Sequence, residues 1–355
     1  MPLIIDGGRV PSRWAERRTL GSLIPVDGNA RRAGALNLAL INNMPDPALE
    51  DTELQFFELL DISSGDLPVY IKLYSLTGVP RTDRGERHLH SFYYPFDDLW
   101  QHRFDGVIIT GTEPKFADLR QEPYWNLLGQ VFDWAERNTN STVLSCLAAH
   151  AAVLCCDGIK RHPLPDKKFG VFESVRNADH AMVNQTGNSV RFPHSRWNEV
   201  REQEVTAAGY LVLTKSVEAG VDLFVKKKRN SLFVHFQGHP EYGAQSLGKE
   251  YRRDIKRYLR GERETYPNLP AGYFDENSVQ IFETLKATAL ADRREEVINN
   301  FPDRILEELQ STWLSSATTI YRNWLEYLGS AAAQSAFLPM TAVHASSSRK
   351  QSAVS

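Results

Sequence analysis

Ser141-Thr142-Val143-Leu144-Ser145-Cys146-Leu147-Ala148-Ala149-His150 reads as a buried strand that breaks directly into a helix, with a cysteine at the junction. A thiol there lies at a helix N-terminus, where aligned backbone dipoles favour the thiolate. The segments upstream repeat the same rhythm. Residues 124–137 carry Trp125, Leu127, Leu128, Val131, Phe132 and Trp134 at helical spacing, and Asp105-Gly106-Val107-Ile108-Ile109-Thr110-Gly111 is a mostly apolar run ending in glycine. Leu36–Ile41 and Val69–Tyr74 read as strands, and between them Asp51 and Thr52 precede the helical set Leu54, Phe56, Phe57, Leu59, Leu60. This alternation predicts an α/β fold: a mostly parallel sheet with helices on both faces, its reactive groups gathered at the carboxyl ends of the strands.

Downstream, the apolar run Ser231–Phe236 leads into Gln237-Gly238-His239-Pro240-Glu241-Tyr242, which delivers an imidazole and a carboxylate two residues apart. Gly111, Cys146 and His239 each follow a predicted strand, so one rim can hold all three. The chemistry expected of them is acyl transfer. Cys146 is the nucleophile, His239 takes and returns its proton, and Glu241 fixes the imidazole tautomer and stabilises its cation. The Leu147 amide, with Gly111 or Thr112 from the neighbouring strand end, is the natural oxyanion donor. His150, in the first turn after Cys146, is a weaker candidate. Cys155 and Cys156, further along the same apolar helix, read as core or near-core.

The 355 residues can bury one large core or two modest ones. A net charge of −3 gives no broad attraction for nucleic acid, and Lys226-Lys227-Lys228-Arg229 reads as a solvated turn. Three cysteines without Cys-x-x-Cys spacing argue against a disulfide framework or a thiolate zinc site; neither a metal nor a bound cofactor is expected. No secretory leader and no run of eighteen apolar residues is found, so the expectation is a soluble, cytoplasmic protein without a membrane segment. Residues 1–33 read as an N-terminal extension, 34–328 as the catalytic domain with a helical insertion near 275–305, and 329–355 as a mobile tail.

From about Leu36 to Leu328 the chain resembles the homoserine O-succinyltransferase family, methionine-pathway acyltransferases on a fold related to class I glutamine amidotransferases. The resemblance is carried by Asn43-Met44-Pro45, residues 51–56, Phe104-Asp105-Gly106 with Thr110-Gly111, Tyr124-Trp125, Cys146, Lys167 with Gly170-Val171, Pro193-His194-Ser195-Arg196, residues 238–242, Arg253 and Asn323-Trp324. It implies a ping-pong reaction in which Cys146 accepts a succinyl group from succinyl-CoA and the hydroxyl of homoserine then attacks the thioester. It also implies that Lys167, Ser195 and Arg253 contact substrate, and that the enzyme is a homodimer acting on small molecules. Three features depart from the family pattern: two extra residues between Pro45 and Thr52, Leu147 in place of an aromatic residue, and the insertion near 275–305. A fourth is Lys115, at the position where glycine accompanies succinyl and glutamate accompanies acetyl transfer. A lysine does not repel a succinyl carboxylate, so succinyl-CoA is the expected donor, with selection by pocket size alone as the alternative. An acetyl donor, a serine-type acceptor, a glutaminase-type amidohydrolase and a non-catalytic binding relative stay open at this point. The glutaminase reading is weakened because Ser145 and Leu147, rather than glycines, flank Cys146.

Overall fold

A computed structural model describes residues 3–6, 9–17 and 34–337, with side chains up to residue 330. In chain order the strands are β1 (Leu3–Ile5), β2 (Leu36–Ile41), β3 (Val69–Tyr74), β4 (Gly106–Ile109), β5 (Ser141–Ser145), β6 (His162–Arg176), β7 (Ser189–Glu199), β8 (Leu211–Ser216), β9 (Gly220–Lys228) and β10 (Ser231–Phe236). The helices are α1 (Ser12–Arg17), α2 (Asp46–Ser64), α3 (Asp83–Phe92), α4 (Trp125–Asn138), α5 (Leu147–Asp157), α6 (Glu202–Ala207), α7 (Ser246–Leu259), α8 (Glu276–Ala291), α9 (Asp303–Glu307) and α10 (Leu314–Phe337).

All ten strands join one sheet in the order β1-β3-β2-β4-β5-β10-β9-β8-β6-β7. The half from β1 to β10 is parallel, and β9, β8, β6 and β7 continue it antiparallel. β4, β5 and β10 are buried at every position, which is why their apolar centres do not alternate with polar residues. Their side chains divide by parity. Leu38, Leu40, Ile108, Val143 and Val234 enter the core with Phe56, Phe57 and Trp324 on one face. Ala39, Ile41, Val107, Ile109, Leu144 and Phe233 enter the other with Val131, Phe132 and Ala152. Helices α2 and α10 cover the first face, and α4 and α5 the second. Each fully buried aliphatic or phenyl group contributes roughly 1.5–3 kcal/mol, so both faces are needed to hold so wide a sheet. Gly106 lets α10 come close: a Cβ there would lie 2.6 Å from Leu328 Cδ1 and 2.7 Å from Trp324 Cζ2.

The segment near 275–305 is helical and shares a core with α7. Phe282 and Leu285 of α8, with Phe301 and Leu306, pack on Leu247, Tyr251 and Ile255 of α7, and Asp275 caps α8 by accepting the Ser278 amide at 2.8 Å. Because α7 leaves the strand end that carries His239, this core braces the rim.

Four details differ from the sequence reading. The fold reaches into the N-terminal extension, where β1 pairs with β3 and Trp14 of α1 meets Phe57 at 5.5 Å; a three-residue strand is too short to show a period. Helix α2 starts at Asp46 rather than beside Asp51, because Pro45 and Pro47 suit a first turn and Asp46 is anchored by the Thr82 amide and hydroxyl. Lys226 and Lys228 belong to β9, and both ammonium groups pair with Asp157, at 2.6 and 2.8 Å, instead of forming a solvated turn. Helix α10 runs on to Phe337, into the segment expected to be mobile; residues 338–355 lie outside the described residues. Among the described residues no helix is long and apolar enough to cross a membrane.

Candidate active site

β5 ends at Ser145 and α5 begins at Leu147, so the whole reversal falls on Cys146, with φ 50° and ψ −107°. A non-glycine residue in that region costs on the order of 1–3 kcal/mol and persists only where its surroundings over-determine it. Here the Cys146 amide donates to Phe236 O at 2.8 Å, tying the turn to β10, and the Ala149 amide donates back to Cys146 O at 3.0 Å. Glycines beside the cysteine are not required, because the room is made across the sheet: a Cβ on Gly111 would lie 2.7 Å from Leu147 Cβ and 3.1 Å from its amide nitrogen. The Leu147 N–H is the first of α5 and has no partner within the helix, and Leu147 lines one cleft with Gly111 and Thr112. Gly111→Ala is therefore expected to push the start of α5 away, costing about 1–3 kcal/mol of stability and lowering turnover about a hundredfold. A turnover within twofold of the parent, with an unchanged thermal midpoint, would refute this role for the glycine.

The second half of the site is built on the end of β10. The Gly238 amide donates to Asp222 Oδ1 at 2.9 Å and the His239 amide to Pro193 O at 2.7 Å, fixing the backbone on both sides of the imidazole. His239 Nδ1 lies 2.9 Å from Glu241 Oε1, which also accepts the Ser145 hydroxyl at 3.0 Å. With Nδ1–H given to Glu241, Nε2 is the nitrogen available to exchange a proton. The ring stacks on Tyr242 at 4.2 Å. The Cys146 sulfur lies near enough to interact with the His239 imidazole. Burial alone would lower the His239 pKa; attraction to the Cys146 sulfur and the Glu241 carboxylate outweighs this and raises it well above the usual imidazole value.

Lys167, Ser195 and Arg253 gather around a residue the sequence reading missed, Glu250, which Tyr242 links to the His239 ring. Glu250 Oε2 accepts the Ser195 hydroxyl and lies 3.3 Å from Lys167 Nζ, while its Oε1 accepts the Tyr242 hydroxyl at 2.6 Å. Lys167 also meets Asp254 at 3.2 Å, and Arg253 Nε and Nη2 both donate to Asp254 Oδ1 at 3.0 Å. Burial opposes ionisation of Glu250, but Lys167, Arg253 and the two hydroxyls hold its carboxyl below the usual value. The signal was present as Glu250 and Arg253 three apart on one face of α7, but a charged helix surface looks the same.

Lys115 is exposed on the loop after β4; its amide donates to Glu122 Oε1 at 2.6 Å, and neighbouring Glu113 lies 3.7 Å from Arg257. His150 is fully buried against Gln237 Oε1 at 2.8 Å, and burial pushes its pKa down to about 3, so it is not placed to act on the thiol. Cys155 is exposed, which corrects its core or near-core reading, whereas Cys156 is partly buried against the core on the α4–α5 face, as read. Among the described residues, no group of three or more His, Cys, Asp or Glu side chains is arranged to hold a metal.

A family profile described as homoserine O-succinyltransferase matches residues 23–335. The chain is 42% identical to the homoserine O-succinyltransferase of Rhodopseudomonas palustris over 84% of this chain and 90% of that one. It is 44% identical to the enzyme of the same name from Methylorubrum extorquens, covering 82% and 86%, and 39% identical to that of Bradyrhizobium japonicum, covering 92% and 99%. Among solved structures it resembles a glutamine amido transferase from Methylobacillus flagellatus, with a TM-score of 0.46, 15% identity, and coverage of 83% and 96%. With the profile spanning most of the sheet and both halves of the site, this chain belongs to the homoserine O-succinyltransferase family.

Proposed function

We propose that this protein transfers a succinyl group from succinyl-CoA to the hydroxyl of homoserine, a step of methionine biosynthesis, through a thioester on Cys146. The observation that carries this is the strained cysteine at a helix N-terminus, in reach of an imidazole whose other nitrogen is held by a buried carboxylate. Cys146 Sγ attacks the thioester carbonyl carbon, and the Leu147 amide with Gly111 or Thr112 receives the developing oxyanion. As the carbon–sulfur bond to coenzyme A breaks, the proton that His239 took from the thiol passes to the departing sulfur. His239 next removes the proton of the homoserine hydroxyl as that oxygen attacks the acyl-enzyme, and Cys146 leaves as the thiolate.

The electrostatics suit this sequence. In the free enzyme the Cys146 sulfur helps hold the proton on His239. Once the sulfur is acylated that attraction is gone and only Glu241 supports the cation, so the imidazole becomes the neutral base just when the acceptor hydroxyl must be deprotonated. The acceptor itself is zwitterionic. Lys167 and Arg253 offer charge to its carboxylate, and Glu250 and Asp254 to its ammonium, exchanging pairs they otherwise make with one another.

Initial rates with both substrates varied test the reading. Parallel reciprocal lines and release of about one equivalent of coenzyme A without homoserine are expected; intersecting lines and no release, or ammonia release from glutamine without thioester turnover, would contradict it. Because the Lys115 side chain is exposed, its influence passes through solvent. Lys115→Glu is accordingly expected to lower the succinyl-CoA to acetyl-CoA kcat/KM ratio by roughly three- to tenfold; an unchanged ratio would remove Lys115 from donor selection.

A further inference from the structure

We infer that Tyr124 and Arg161 form the subsite that reads the far carboxylate of the acyl group, making the enzyme selective for thioesters of short dicarboxylic acids. This deepens the acyl-transfer reading and rests on it. A cleft begins at Gly111, Thr112 and Leu147, the corner where the thioester carbonyl is polarised, and runs between apolar walls that include Leu119, Trp125 and Leu128. Such walls suit methylenes. Three hydroxyl-bearing residues line it, Thr112 at that corner, with Thr110 and Tyr124. The hydroxyl of Thr110 is committed, accepting the Asn43 amide at 2.8 Å and donating to Gly111 O at 3.0 Å. That of Tyr124, in a residue only 5% exposed, makes no hydrogen bond of good geometry, and the Glu122 carboxylate lies near it. Buried hydroxyls are ordinarily hydrogen-bonded, so an orphan lining a cleft beside a nucleophile marks a place for a ligand acceptor.

Arg161 brings the positive charge. One guanidinium nitrogen, Nη2, donates to Phe116 O at 3.1 Å and Ala117 O at 2.9 Å, holding the loop that precedes Leu119, while Nε is buried with no acceptor. The nearby anions are already engaged. Asp118 binds Arg120 through Nε and Nη2, at 2.9 and 2.7 Å, and Glu122 Oε1 accepts the amides of Lys115 and Phe116 at 2.6 and 2.8 Å. Burial weakens the Arg161 cation, while attraction to Tyr124, Glu122 and Cys146 supports it. Burial and Glu122 keep the phenol protonated and able to donate. An incoming carboxylate would take the unused donors of both side chains; an acyl chain without one would leave them orphaned.

The test compares succinyl-CoA with butyryl-CoA, which has the same chain length but no distal charge, on the full chain. Each of Tyr124→Phe and Arg161→Gln is expected to lower the succinyl-to-butyryl ratio of kcat/KM by about ten- to a hundredfold, with Arg161→Lys recovering part of the loss. The ratio is internal to each preparation, so partial unfolding cancels, and Tyr124→Phe keeps the ring that packs the wall. A ratio within twofold of the parent in Tyr124→Phe and either Arg161 variant would overturn the subsite. If succinyl-CoA still acylates Cys146 in those proteins, the failure concerns the subsite alone; if no thioester acylates the parent, the acyl-transfer reading falls and takes the subsite with it.

Discussion

Replacing Cys146 with serine is expected to lower turnover by roughly 10⁴- to 10⁶-fold, more than any other single substitution in the site. The geometry is kept, because serine differs by one atom and the Cys146 amide still reaches Phe236 O. What changes is the acidity of the nucleophile: a hydroxyl gains far less than a thiol from a helix N-terminus and an imidazole, and it makes an ester in place of an activated thioester. The thermal midpoint should stay within about 2 °C of the parent, since nothing in the core moves. Kinetics and a melting curve on one preparation decide the matter. A loss of less than tenfold would mean that the sulfur only lines the site and that acyl transfer passes directly between the two substrates.

Glu241→Gln is expected to cost about 10²- to 10⁴-fold. The carboxylate oxygen Oε1 accepts from both His239 Nδ1 and Ser145 Oγ. An amide can turn its oxygen to only part of that arrangement, and its NH₂ group would present a donor where His239 requires an acceptor, favouring the wrong imidazole tautomer. Loss of the negative charge also lowers the His239 pKa, which the carboxylate now helps to raise. The limb of the pH–rate profile belonging to the imidazole should therefore move to lower pH, a shift that a merely structural residue would not produce. An unchanged profile with near-parental turnover would assign Glu241 to packing.

How much of this could be read in the residues alone follows from the range of each interaction. The parallel half of the sheet was legible because β4, β5 and β10 are buried on both faces and so carry apolar cores, Val107–Ile109, Val143-Leu144 and Leu232–Val234, without polar alternation inside them. The meeting of Cys146 with His239 was legible because both follow strands that turned out to be neighbours, with Phe236 opposite Ser145 in the register. Glu250 was not, since its importance comes from Lys167, Ser195 and Tyr242 converging from three other segments. The room for the strained turn at Cys146 was hidden for a related reason. The glycine that admits a strained cysteine lies on β4's exit at Gly111, thirty-five positions away, so the cysteine's own flanks show only Ser145 and Leu147. Lys226 and Lys228 likewise looked solvated until Asp157, at the end of α5, was placed against them. Tyr124 and Arg161 were silent as chemistry, because an unpaired donor can be recognised only once every other partner has been placed.

The most direct test of the central claim is intact and peptide mass spectrometry after mixing the protein with succinyl-CoA alone. The account predicts one succinyl group per chain, mapped to Cys146 and discharged within one turnover time when homoserine is added. Turnover with no covalent species on Cys146, or an adduct on another residue that homoserine discharges at the catalytic rate, would contradict it.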